Sequence, residues 1–180
     1  MRKFISSIFT VSLALLILVG GLLIYDTYLD PSAIALKNET SIKQAEADIF
    51  DLVNAERKKN GLEPLIYSNE AAQVAYKKAE QMHDAGYFAH ESPITGSLSE
   101  QFKVFGGIIL GENAVRIGEN IAYTSGYQLE KLTGEFWVEQ WLNSPPHRAN
   151  ILNANYTHIG IAVFADGHDA YAVQEFLTPS

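Results

Sequence analysis

The chain has 180 residues, a formal net charge of -8 at pH 7 and no cysteine. That length holds one globular domain and an appendage. The missing thiols exclude disulfide exchange, cysteine nucleophiles and thiolate metal sites. The acidic balance repels phosphate backbones, so no nucleic acid is expected as a partner.

The appendage comes first. Arg2 and Lys3 precede residues 4–25, which carry no charged side chain. As a helix this run extends roughly 33 Å, enough for a bilayer core of about 30 Å. Positive charges before it keep the N-terminus in the cytoplasm and put the rest outside. Two readings stand open. One is a single-pass anchor in the cell membrane through residues 4–25. The other is secretion after signal cleavage, with Ala33-Ile34-Ala35 as the small-x-small site. The expected division is an anchor or signal segment over 1–30, a linker over 31–40 and a domain over 41–180. An exported domain without disulfides fits a bacterial or archaeal surface protein.

Within the domain, Ser41-Ile42-Lys43-Gln44 reads as a capping box opening a helix. Ile42, Ala45, Ile49, Leu52 and Val53 recur at helical spacing, and Asn60-Gly61 stops the helix. Asn69 is the expected cap of a second helix, with Ala72, Ala75, Tyr76, Ala79 and Met82 on its buried side and Gly86 at its end. Ser97-Leu98-Ser99-Glu100 is a further capping box, and Gly106-Gly107 closes its short helix. A local echo follows, Gly111-Glu112-Asn113 and Gly118-Glu119-Asn120. The next helix is expected from about residue 128 to 142, weakened by Gly134. Residues 159–164 and 170–177 read as strands joined by an Asp166-Gly167 turn. Helices first and a hairpin last indicate an α+β fold.

Three segments stand out chemically. They are Tyr87 to Pro93, Gly118 to Ala122, and Ser144-Pro145-Pro146-His147-Arg148-Ala149-Asn150-Ile151-Leu152. Taken singly, each residue has an ordinary reading. His90 is a surface or hydrogen-bonding histidine, Glu119 a solvated acid or helix cap, and Arg148 a surface ion-pair partner. Ser92 beside His90 offers a hydroxyl, whose ordinary task is to satisfy a turn amide. His83, His158 and His168 read as packing or surface residues.

Together with Leu52-Val53-Asn54-Ala55-Glu56-Arg57, Trp141-Leu142-Asn143-Ser144 and Tyr156-Thr157-His158-Ile159-Gly160-Ile161-Ala162, these segments resemble the CAP superfamily. This is the SCP domain of cysteine-rich secretory proteins, antigen 5 and pathogenesis-related proteins, here in its bacterial branch. The resemblance covers about residues 46–178. It implies a three-layer α-β-α sandwich with a central antiparallel sheet. It also implies a cleft lined by two histidines and two acids that holds a divalent metal such as zinc. Carried over, His90 is the first histidine, Glu119 the first acid and His147 the second histidine. The fourth member has no clean counterpart, Glu135 and Glu139 being the nearest acids in sequence. A glycine that often precedes the second histidine is Pro146 here.

His90, Glu119 and His147 would make a zinc triad with one open position. Against an enzyme stand the absence of a His-Glu-x-x-His helix and of a Gly-x-Ser-x-Gly elbow. The leading expectation is therefore a binding module without established turnover. Its partner would be a lipid, a glycan, a peptide or a surface protein, and tyrosines 67, 76, 123, 127 and 156 offer amphipathic rings for it. The alternatives are a metal-assisted hydrolase at the same three residues and a structural or stress-related envelope protein.

Overall fold

A computed structural model describes residues 18–19, 22–23, 31–107, 116–166 and 168–179. Of the expected apolar span, only Leu18–Val19 (β1) and Leu22–Leu23 (β2) are among them, paired antiparallel. The remainder of residues 4–25 lies outside the described residues, as does the first Gly-Glu-Asn copy at residues 111–113. Among the described residues no helix is long and apolar enough to cross a membrane.

The domain's first helix, α1, runs from Pro31 to Lys59. The segment expected as a linker is therefore helical. Pro31 stands at the first helical position, where its missing N–H costs nothing. Ser41 is not a cap either. Its hydroxyl donates to the Lys37 carbonyl one turn back, and the Gln44 amide donates to Asp48. The helix ends where expected, with Gly61 at φ 71°.

Asn69–Asp84 forms α2, capped by Ser68, whose hydroxyl accepts from the Ala71 amide. The cap lies one residue before the expected Asn69. The buried face carries Ala71, Val74, Ala75, Lys78, Ala79 and Met82, while Tyr76 is exposed. Leu98–Gly106 forms α3, with both bonds of the Ser97–Glu100 capping box in place. The helix expected from residue 128 is two pieces. A 3-10 turn spans Leu129–Lys131, and α4 spans Gly134–Leu142 behind the Thr133 cap. Thr133 accepts from the Phe136 amide, so the chain restarts there. Gly134 sits where a Cβ would collide with Asp48 and Ile49 of α1. It is a helix-crossing contact rather than a flaw. Pro145–Ile151 forms α5.

Four strands make the sheet, in the order β3-β5-β6-β4. They are β3 (Ile66–Tyr67), β4 (Arg116–Ser125), β5 (His158–Asp166) and β6 (Asp169–Thr178). The β5-β6 hairpin is antiparallel with Asp166 opposite Asp169, and β4 pairs antiparallel with β6 along its whole length. The two-residue β3 lies parallel to β5, so the sheet is mixed rather than antiparallel throughout.

Alternation along the strands divides the core in two. On one face Ile159, Ile161, Val163, Ala170, Ala172 and Phe176 pack with Ile49, Val53, Trp137, Trp141 and Ile151 of α1, α4 and α5. Both tryptophans are fully buried. Burial of rings this size stabilises by roughly 4–6 kcal/mol each as an upper bound. On the other face, Ile121, Ala162, Tyr171 and Val173 meet Ala75, Ala79 and Met82 of α2. Leu177 joins Ala71, Val74 and Phe102, which seats α3 beside α2.

Candidate functional site

The site forms where β4 and β6 run side by side. Asn120 pairs with Gln174 and Glu119 with Glu175, all four buried. Because strand side chains alternate, the amides enter one face of the sheet and the acids the other.

On the acid face, α2 and the loop after it supply the partners. Gly86, at φ 64°, turns the chain out of α2. The loop then delivers His90, whose Nδ1 lies 2.6 Å from Glu119 Oε1. The imidazole is 59% exposed and the carboxyl 2%. A buried acid thus holds a histidine that faces solvent. That hydrogen bond raises the His90 pKa above its ordinary value, against the opposing effect of burial. Lys78 lies fully buried beneath. Its Nζ donates to the His90 carbonyl at 2.6 Å and stands 4.0 Å from Glu119 Oε2. Burial pulls the Lys78 pKa down, while Glu119 and Glu175 oppose that fall. Glu175 is pushed well above the carboxylate range, first by burial and then by the charge of Glu119.

On the amide face, α5 supplies His147. The Asn120 side chain donates to the His147 carbonyl at 3.0 Å and to Gln174 Oε1 at 2.9 Å. Asn150 returns two bonds, to the Glu119 carbonyl and to Asn120 Oδ1. From the other end, buried Arg57 donates to the carbonyls of Ile151, Asn153 and Tyr156. The Asn-Ala-Glu-Arg segment of α1 is therefore a brace for the loop after α5. His147 lies near enough to His90 that the two charges oppose. Burial first, and His90 second, depress the His147 pKa. The two imidazoles are thus shifted in opposite directions.

Gly118 has a packing reason. A Cβ there would strike the Tyr156 ring, which stacks on Phe176 and donates to the Ile117 carbonyl.

The structure brings the three expected residues into one region. Among the described residues no group of three or more His, Asp or Glu side chains could hold a metal ion. His90 Nδ1 and Glu119 Oε1 are engaged with each other, so Glu119 fixes the orientation of the His90 ring. Glu135 and Glu139 are exposed on α4. The second acid at the site is Glu175, which spacing along α4 could not have found. Its signal lay in the strand, where Glu175 interrupts the buried alternation Tyr171, Val173, Leu177. Lys78 interrupts the apolar face of α2 in the same way. Glu119, read singly as a solvated acid, is buried because residues 116–125 form a strand that the sequence reading passed over.

Ser92 is a turn residue. Its hydroxyl accepts from the Ile94 and Thr95 amides and donates to Gln81. His83 packs on Phe164 and Tyr171, and His158 contacts Thr157 at the start of β5. A depression lined by Leu36, Glu39, Thr40, Lys43 and Gln44 lies on α1 alone and contains none of these groups.

Known proteins carry the same domain. The chain is 41% identical over 128 residues to the uncharacterized protein YkwD of Bacillus subtilis (strain 168), covering 71% of this chain and 46% of that protein. It is 39% identical over 119 residues to the uncharacterized membrane protein YlbC of the same organism, covering 66% of this chain and 31% of YlbC. The chain therefore spans less than half the length of either relative. Among solved structures it is similar to an extracellular protein containing an SCP domain from Bacillus anthracis str. Ames. There the TM-score is 0.65 and identity 30%, over 88% of this chain and 47% of the other. The family model described as cysteine-rich secretory protein family matches residues 50–176, and with the sheet, helices and histidine pair in place the chain belongs to the CAP family.

Proposed function

We propose that this chain is an extracytoplasmic binding module whose ligand docks at His90 and His147, with Glu119 as the buried support. The observation that carries this reading is a 59% exposed imidazole anchored on a 2% exposed carboxyl at 2.6 Å. Orienting a solvent-facing histidine at the expense of a buried acid serves recognition at that ring. The neighbouring hydroxyl of Ser92 is committed to its turn, which removes the nearest nucleophile from any acyl-transfer reading.

Beside His90 the surface is aromatic. Phe88 and Tyr123 are 50% and 40% exposed, with centroids 5.9 Å apart. A ligand matching both parts carries a hydrogen-bonding or anionic group for the imidazoles and an apolar or ring-shaped body for Phe88 and Tyr123. Lipids and glycans have that combination. The uncharged run over residues 4–25 supports attachment to the membrane with the domain outside. The extracellular SCP-domain relative supports the same side.

The test is a titration of the full chain in detergent micelles with lipid headgroup analogues and with oligosaccharides. The readouts are the ring signals of His90, His147 and Tyr123. Saturable shifts that vanish in His90→Ala support the reading. Unchanged ring signals across both ligand sets would overturn it, as would conversion of a bound ligand to product.

A further inference from the structure

Lys78 is not part of any expected site, yet it is a fully buried lysine in the wall behind His90. Lysine is almost never fully buried without a partner. Its surroundings explain it only in terms of the cleft. The Nζ donates to the backbone carbonyl of His90 at 2.6 Å and lies 4.0 Å from Glu119 Oε2. It stands over the Tyr87 ring at 5.3 Å. The Gln101 amide of α3 donates to the same His90 carbonyl at 3.1 Å. Behind this group, Glu175 is fully buried as the cross-strand partner of Glu119. Glu119 Oε2 and both Glu175 oxygens are buried with no donor from a third residue, and the two carboxyls hydrogen-bond to each other when Glu175 holds its proton.

Two facing acids in one apolar wall repel each other if both are charged. A proton on Glu175 relieves that repulsion, and the Lys78 ammonium beside the pair offsets it further. The same ammonium fixes where the His90 backbone passes, and hence where its ring meets Glu119.

We propose that Lys78 is a positioning residue of the cleft, which presents His90 to Glu119 by holding the His90 backbone carbonyl from within the buried wall. This rests on the reading of the cleft as the ligand site, but concerns the unliganded chain. The groups facing Lys78 are Glu119 on β4, Glu175 on β6, Tyr87 and His90 on the loop after α2, and Gln101 on α3. Glu175 is the silent half of the arrangement. It is pushed toward its neutral form beside Glu119 and makes no bond to His90.

The experiment is a comparison of the His90 ring nitrogen signals in the full chain in micelles, without ligand, in wild type, Glu119→Gln, Lys78→Met and Lys78→Ala. The Nδ1 signal of a ring donating to a carboxylate is expected in wild type and lost in Glu119→Gln, which assigns it. Lys78→Met should lose it as well, although Glu119 is still present. Adding ethylammonium to Lys78→Ala should restore it, and ethanol at the same concentration should not. A second readout covers the case of poor folding. Adding Glu175→Gln to Lys78→Met should recover at least half of the fall in melting temperature, because one acid fewer must be held protonated in the wall once the cation is gone. Retention of the Nδ1 signal in folded Lys78→Met would overturn the proposal. So would strictly additive melting shifts, or rescue by ethanol equal to that by ethylammonium. None of these readouts involves a ligand, so an empty ligand screen would count against the binding reading alone.

Discussion

The two faces of the β4-β6 ladder make opposite use of adjacent residues. Asn120 and Gln174 join Asn150 and the His147 carbonyl in a network of neutral amides. One step along each strand, Glu119 and Glu175 meet Lys78 and His90 in a network of ionisable groups. Amides have fixed donors and acceptors, so the first network specifies one geometry and fixes the place of α5. Charges in a buried wall depend on protons and counter-ions, so the second can respond to pH or to a ligand. The sheet thus separates a rigid support for one histidine from a responsive support for the other.

The largest effect is expected beneath the amide face. Trp141 is fully buried against the helices that carry His147, and Trp141→Ala should cost about 3–5 kcal/mol. A urea midpoint equal to wild type at an equal slope would place the ring outside the support.

Asn120→Ala should cost about 3 kcal/mol, because it takes one of the two acceptors of the Asn150 amide and leaves the His147 carbonyl and Gln174 Oε1 without their donor. The His147 ring signal should broaden or move while that of His90 stays. Equal disturbance of both histidines would show that the faces are not separate.

Lys78→Met should cost about 2 kcal/mol near neutral pH, the worth of a charge-assisted bond, and less in acid where the acids no longer need a cation. A cost independent of pH would show that the lysine acts by packing alone.

The smallest effect is the most specific. The fold favours the neutral form of Glu175, its pKa raised well above 4.5 by burial and by Glu119. In the unfolded chain it ionises above about pH 4.5, so wild type loses stability as pH rises from there toward the folded value. Glu175→Gln lacks that group, so its stability relative to wild type should grow between about pH 4.5 and pH 7. The raised His90 acts in the same direction, its contribution present below 6.5 and lost above the folded value. His147 is depressed and opposes it, its contribution lost as pH falls through 6.5. Both histidines remain in the variant, so the difference between variant and wild type isolates Glu175. A difference that is flat across that range would mean Glu175 is charged in the fold.

The comparison also shows where sequence reading ran out. The hairpin of β5 and β6, the capping box at Ser97 and the glycine stop at Gly61 follow from local backbone chemistry, and each formed as expected. Ser41 misled because a hydroxyl can bond one turn back inside a helix as readily as it caps one. β4 was missed because Gly118, Glu119 and Asn120 have poor strand propensity, which pairing with β6 along ten positions overrode.

The sequence by itself determined the family, since five ordered motifs identify a domain without any geometry, and it pointed to His90, Glu119 and His147. Only the tertiary structure decided their roles. Glu119 meets the His90 ring because β4 carries it into the wall under α2. Lys78 and Glu175 entered the site because α2 and β6 pack against that wall. Residues from four separate elements share one small volume there, and no local spacing encodes which buried charges will face each other.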